Sequence, residues 1–363
     1  MKKLFSMALG LCSVVYGEET TVYVGTAAKG VYVMNLDEET GRLSEVKLAA
    51  EGKGMSFQEL NAEGDLLFST MKKDKVGGVA AFAVDGGKLT LVSEQTYEGK
   101  GLCHVSLDAE AKVLFGADYG GGKVVSFSVA GGELGEIASL IQHEGASVHE
   151  SRQTKAHAHS IYAGPLNRFV YAPDLGMDEV KFYELGEKGK LIDRGGFASI
   201  PGAGPRHMKF GKDGKFAYVL NELSCSVTTF ARDAESGKLT AQKTVTTLAD
   251  EVELKGMTCS EIRVSKNGRF VYAATRDTTM GGRDGVSVFE VGDGGGLTMR
   301  QWIPAGVNIP RNINLAPSGD WLLVAGAKSD AVVVFKIDQN SGKLTLTEYR
   351  AEVPRPMCVN FSR

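Results

Sequence analysis

Along almost the whole chain, runs of four to six aliphatic or aromatic residues alternate with clusters of Gly, Asp, Asn and Ser. The runs are too short for helices and rich in β-branched and aromatic residues, so they predict strands joined by tight turns. Seven of them follow a polar turn in the same way: Thr21-Val-Tyr-Val, Leu66-Leu-Phe, Val113-Leu-Phe, Phe169-Val-Tyr, Phe216-Ala-Tyr, Phe270-Val-Tyr and Trp321-Leu-Leu. With Tyr23, Phe68, Phe115, Tyr171, Tyr218, Tyr272 and Leu323 as marks, the steps are 45, 47, 56, 47, 54 and 51 residues. Most marks precede an alternating strand such as Val79-Ala-Ala-Phe-Ala-Val or Val286-Ser-Val-Phe-Glu-Val. A turn ending in Lys-Leu or its equivalent comes next, at Leu43, Leu89, Leu134, Leu191, Leu239, Leu297 and Leu344. One unit is therefore four short strands linked by hairpins, the blade of a β-propeller.

The two ends complete the pattern. Met357-Cys-Val-Asn-Phe361 reads as the first strand of a unit with no successor, and Tyr23 begins a unit that lacks its first strand. Pairing them closes a ring and removes exposed sheet edges. The expected fold is all-β, a seven-bladed β-propeller of four-stranded antiparallel blades, with the C-terminal strand completing the first blade. Residues 1–17, Met1-Lys2-Lys3 followed by a mostly apolar run from Leu4 to Tyr16, read as a secretory signal peptide, leaving 18–363 as a single propeller domain. A secreted or periplasmic protein is expected, or a cytoplasmic one if the signal is not used. No membrane association is expected after signal removal.

Composition narrows the partners. A net charge of −3 on 363 residues, with a pI near 6.1, supplies no global field for nucleic acid, so any anion is held locally. Beyond the signal, Cys103, Cys225, Cys259 and Cys358 are scattered without a C-x-x-C, implying neither a zinc site nor a disulfide framework. A monomer acting on a small molecule is expected.

In an antiparallel blade, the start of strand one and the end of strand two share a rim beside the central channel. Counting back twelve and eleven residues from the later marks gives Ser56/Phe57, Cys103/His104, His159/Ser160, Arg206/His207, Ser260/Glu261 and Arg311/Asn312, and the closing strand adds Met357/Cys358. Counting forward gives the facing set, which includes Asp118/Tyr119, Asp174/Leu175, Asn221/Glu222 and Thr275/Arg276. Unpaired charge on buried strands is costly. So many polar groups at these positions predict one polar funnel.

The segments Ala156-His-Ala-His-Ser160, Asp174-Leu-Gly, Pro201-Gly-Ala-Gly-Pro-Arg-His207, Tyr218-Val-Leu-Asn-Glu222 and Glu261-Ile-Arg-Val-Ser resemble signature stretches of the propeller lactonase family. That family includes bacterial 6-phosphogluconolactonases and fungal carboxymuconate cyclases, and the likeness covers essentially the whole chain after the signal. The resemblance implies a sugar-lactone hydrolase with no cofactor and no metal. It places a His of the His157-x-His159 pair, with His159 preferred, and Arg206, Glu222 and Arg276 in catalysis; His104, His157, His207, Glu261, Arg311 and Asp174 are expected around the substrate from their places in the funnel. The chain departs from the family pattern at Thr275-Arg276-Asp277, which is followed by the insertion Met280-Gly-Gly-Arg-Asp-Gly.

Lactone opening needs a base for water and positive charge at the developing oxyanion, which carboxylate or imidazole and guanidinium supply. Glu222 or His159 is the expected base, and Arg206 and Arg276 the expected grip. A tie between blades is the competing role for Glu222. His157 and His159, alternating on one side of a strand, also suit metal ligation, although no third ligand stands at a suitable spacing. A carboxymuconate-type cycloisomerase would use the same arginines on a dicarboxylate. A non-catalytic binding propeller is the remaining alternative.

Overall fold

The computed structural model describes residues 19–362, so the signal segment assigned to 1–17 lies outside the described residues. It contains seven four-stranded antiparallel sheets. The first blade is closed as expected: Pro356–Phe361 pairs with Glu19–Thr26, followed outward by Gly30–Asp37 and Lys47–Glu51. Blade 2 runs from Gln58–Leu60 to Lys88–Thr96, and blade 3 from His104–Leu107 to Glu133–Gln142. Blade 4 has an inner strand of two residues, Tyr162–Ala163, because a long loop occupies the approach to it. The inner strands of blades 5, 6 and 7 are Pro205–Phe210, Met257–Val264 and Pro310–Leu315.

All seven marks lie on second strands and are buried. Each packs into the hydrophobic cluster shared with the following blade. Phe68 of blade 2 packs with Val105 and Leu114 of blade 3, Tyr218 of blade 5 with Ile262 and Val271 of blade 6, and Leu323 of blade 7 with Val22 and Val359 of blade 1. The core is thus seven interfaces between sheets rather than one centre, and the repeat in the sequence is the repeat of those interfaces.

A second device recurs at the outer edge. The glycine closing the last hairpin of one blade sits against an aromatic ring of the blade before it: Gly237 on Phe169, Gly295 on Phe216, Gly342 on Phe270 and Gly41 on Trp321. All four have positive φ, and at Gly41 an added Cβ would lie 2.5 Å from the Trp321 ring. Glycine is required there for both backbone conformation and space. Trp321 also donates its Nε1 hydrogen to the Glu38 carbonyl at 2.9 Å, latching the last blade to the first.

This latch is testable. Trp321→Ala removes a buried ring and leaves a cavity at the ring closure, and chemical denaturation should record a loss of about 3–5 kcal/mol. A loss below about 1 kcal/mol would show that closure does not depend on this contact.

Candidate active site

The site is created by irregularities in the inner strands. In blades 5, 6 and 7 the register with the second strand shifts between Pro205 and His207, between Cys259 and Glu261, and between Pro310 and Asn312. The closing strand shifts at the same level, between Cys358 and Pro356. A bulge sets two residues opposite one and re-aims the extra side chain. The extra residues are Arg206, Ser260, Arg311 and Met357, the first members of the pairs found by counting. A cavity of about 370 Å³ opens at this rim, with Ser56, Cys103, Arg206, Arg311 and Met357 in its wall beside Phe57, His207 and Lys72. No Asp or Glu lines it.

Behind that wall, Glu222 is the centre of a cationic cluster. Its backbone N–H bonds to the Gly204 carbonyl at 2.7 Å, which fixes the turn after the second strand of blade 5. Its Oε2 accepts from Arg206 Nε at 2.9 Å and lies 3.2 Å from Arg276 Nη2, while Oε1 accepts from Arg152 Nη2 at 2.6 Å. Burial alone would raise its pKa, but the Arg276, Arg206 and Arg152 guanidinium groups outweigh burial and hold it well below the usual carboxylate range. Arg206 also donates to the Ser260 carbonyl, and Arg276 Nη2 donates to the Cys259 carbonyl at 2.5 Å. Arg206, Glu222 and Arg276, far apart in the chain, therefore form one cluster spanning blades 5 and 6.

Arg311 differs from the other arginines. No ion pair or side-chain hydrogen bond joins it to a partner among the described residues. Burial and the neighbouring Arg206 and Arg276 depress its pKa strongly, against a weaker opposing pull from Glu222. Since a guanidinium does not deprotonate in practice, Arg311 stays charged beside two other guanidinium groups, a setting that an added anion would relieve.

The histidines divide into two groups. His104, His159 and His207 are buried, and their pKa values lie well below the ordinary imidazole value. Burial is the largest cause in each case, followed by Arg206 for His159 and His207 and by His207 for His104. They are neutral at pH 7. His159 Nε2 lies 3.7 Å from Glu222 Oε2, and its Nδ1 is 3.8 Å from the Cys103 sulfur in the cavity wall. His207 Nδ1 bonds to Glu261 Oε1 at 3.0 Å, and the His104 ring lies against Phe57, Tyr162 and His207. His157, by contrast, stacks on Tyr119 and donates Nδ1–H to the Tyr119 carbonyl at 2.8 Å.

Two of the carboxylates expected near substrate are otherwise engaged. Glu261 is fully buried and bound by His207, Arg263, Asn312 Nδ2 at 2.6 Å and the Ile262 N–H, which ties the inner strands of blades 5, 6 and 7. Asp174 is fully buried, receiving His143 on one oxygen at 2.8 Å and the N–H groups of His157, Gly176 and Met177 on the other. It orders the loop that carries the His-x-His pair. Sequence reasoning placed Tyr119 and Lys72 in the facing rim set without giving them a role, and it did not find Arg152. Arg152 bridges Glu222 and the Tyr119 hydroxyl from the loop before His157, where no strand register exists to align it. In the glycine-rich insertion, Arg283 returns to Asp277 at 2.9 Å, so this insertion is stapled beside the Arg276 strand. Among the described residues, no group of three or more His, Cys, Asp or Glu is placed to hold a metal ion.

The profile of the family described as Lactonase, 7-bladed beta-propeller, matches residues 21–361. The chain belongs to this family. It is 36% identical over 349 residues to a 6-phosphogluconolactonase of Bacillus subtilis, covering 93% of this chain and 97% of the relative. A 6-phosphogluconolactonase of Pectobacterium carotovorum is 34% identical over 288 residues, covering 78% of this chain and 81% of the relative. Among solved structures, the periplasmic gluconolactonase of Pseudomonas aeruginosa superposes with a TM-score of 0.87 at 26% identity, covering 95% of this chain and 99% of that one. The seven-blade count made from the repeats is that of the family, and the chain is a lactonase of the hydrolase class. No helix among the described residues is long and apolar enough to cross a membrane.

The Glu222 cluster generates a stability prediction with a definite sign. Replacing Glu222 by Gln leaves buried guanidinium groups without their counter-ion, at a cost of about 3–5 kcal/mol at pH 7. Because the folded-state pKa of Glu222 is depressed, its stabilisation is fully present above the unfolded value near ~4.3 and is lost as pH falls toward the folded value. Urea titrations of both proteins between pH 7 and pH 3 should show the difference shrinking only at the acid end. A difference independent of pH would contradict the ion-pair assignment.

Proposed function

We propose that this lactonase hydrolyses a sugar lactone in the cavity beside Arg206 and Arg311. The observation that carries the reading is the charge balance of the wall: Arg206, Arg311 and Lys72 line it, no carboxylate does, and Arg311 has no ion-pair partner among the described residues. Such a wall suits the lactone carbonyl oxygen as it becomes an oxyanion, and then the product carboxylate. Arg206 is already oriented by Glu222, so it presents the rest of its guanidinium without reorganising.

His159 is assigned as the base. Its neutral imidazole, with Nε2–H toward the Glu222 carboxylate, leaves the Nδ1 lone pair on the side of Cys103, which itself lines the cavity. As Nδ1 takes the proton of the attacking water, Glu222 stabilises the imidazolium, the role of the orienting acid in catalytic triads. Glu222 itself, held ionised by three arginines, is too weakly basic to be the better choice. In this reading Glu222 orients, Arg276 holds Glu222, and Arg206 with Arg311 grips the reacting oxygen. Ring opening then returns the proton from His159 to the leaving alkoxide.

Two features bear on which lactone is used. Lys72 and Arg311, which have no ion-pair partner among the described residues, suit a substrate with an anionic group, whereas the export signal read at residues 1–17 suits an unphosphorylated aldonolactone met outside the cytoplasm. Lactone hydrolysis by the purified mature protein, measured on phosphorylated and unphosphorylated substrates with and without chelator, separates them. Turnover unaffected by chelator is expected, and no turnover of any lactone would overturn the assignment.

Arg311→Gln provides the sharper test. It should lower kcat/KM by about 100-fold or more, as loss of an oxyanion donor does, while the melting temperature stays equal or rises because an uncompensated cation has been removed. An active Arg311→Gln protein would remove Arg311 from the mechanism.

A further inference from the structure

Directly behind the Glu222 turn lie two cysteines that the hydrolytic reading does not use. Cys225 is in the turn itself and Cys259 is on the inner strand of blade 6; both are fully buried and belong to the same hydrophobic cluster. Backbone and side-chain contacts bring them together. The Glu222 carbonyl accepts the Cys259 N–H at 3.0 Å and has the Cys225 sulfur 3.9 Å away. On the other side, Thr247 Oγ1 donates to the Cys225 carbonyl at 2.9 Å and lies 3.2 Å from the Cys259 sulfur. Both thiols therefore sit against the same Glu222 and Thr247 framework. Cys225 has a φ of 44°, a left-handed conformation unusual for a side chain branched at no special position, so its placement at this turn is specific. The Cys259 carbonyl also receives Arg276, so both cysteines are bonded to the residues that hold the ion-pair cluster.

We propose that Cys225 and Cys259 form a disulfide when the protein folds in the presence of a small-molecule disulfide such as oxidised glutathione, and that this bond fastens the Glu222 turn to the Arg276-bearing blade. The chemistry balances as two exchanges. The Cys225 thiolate attacks the oxidant disulfide, forming a mixed disulfide and releasing one thiol. The Cys259 thiolate then attacks the Cys225 sulfur and expels the second, so two protein thiols are oxidised and one disulfide is reduced to two thiols. In the folded protein the contact with Cys259 and burial both raise the Cys225 pKa, which suppresses the attacking thiolate. Exchange therefore proceeds during folding or on opening of the turn. Cys103 and Cys358 belong to other parts of the ring and stay as thiols.

The test is refolding of the mature chain with reduced and oxidised glutathione, alkylation, and peptide mass mapping. A single 225–259 link is expected, with Cys103 and Cys358 alkylated. The linked protein should melt about 5–10 °C above the reduced one, and amide exchange in the peptide around Cys259 should slow. A Cys225→Ala/Cys259→Ala protein should show neither change on oxidation; if that variant does not fold, mapping of the wild-type chain still decides. Absence of the 225–259 link overturns the proposal. A link without a melting shift or slowed exchange overturns the fastening role. Neither readout uses lactone turnover, so the outcome is independent of the catalytic assignment.

Discussion

Everything at the active rim depends on the packing of each blade's second strand against the next blade. The buried aromatic and aliphatic marks from Tyr23 to Leu323 fill seven equivalent interfaces, and this fixes the angle between neighbouring sheets. Once that angle is repeated seven times the inner strands must converge on an axis, and the pairing of Pro356–Phe361 with Glu19–Thr26 leaves no free edge at the seam. Arg206, Glu222, Arg276 and Arg311 are neighbours because hydrophobic interfaces elsewhere make them so.

The fold was legible because these interfaces are periodic in sequence. Each blade repeats the same strand pattern, an aromatic or aliphatic mark and a glycine-bearing last turn, and the near-continuous apolar runs around the marks are what strands of a sheet packed on both faces require. The rim positions are periodic for a related reason: the bulges occur at the same level in several inner strands, so Arg206, Ser260 and Arg311 each stand 12 residues before their marks, and ring closure adds Met357. Where the chain leaves that repeat, the method has nothing to count. Arg152 lies in the loop before the shortened inner strand of blade 4, and its contact with Glu222 depends on how that loop is anchored by Asp174, Gln153 and Ser147.

Residue roles within the funnel were less legible than residue positions. Glu261 and Asp174 stand at rim positions by sequence, as Glu222 does, yet each has its oxygens occupied by neighbouring strands or loop amides. Nothing in the identity of a carboxylate tells whether its partners are protein or ligand. The distinction lies in three-dimensional hydrogen-bond accounting, since a buried polar group must find partners somewhere.

That accounting also separates the arginines. Arg206 and Arg276 share the Glu222 carboxylate and each donates to a backbone carbonyl, so both are paired and their orientations fixed. Arg311 is drawn from the next inner strand by the same kind of bulge, but it reaches the cavity with no carboxylate joined to it among the described residues, and its neighbours make the site more positive. A protein selected for stability alone would gain by replacing such a residue, because an uncompensated, partly buried cation opposes folding. Its retention beside an oriented Arg206 is understandable if the missing negative charge arrives with the reaction: an oxyanion in the transition state and a carboxylate afterwards. The carboxylate-bound pair then supplies fixed geometry, and the unpaired Arg311 supplies the attraction that grows as the lactone carbonyl acquires charge.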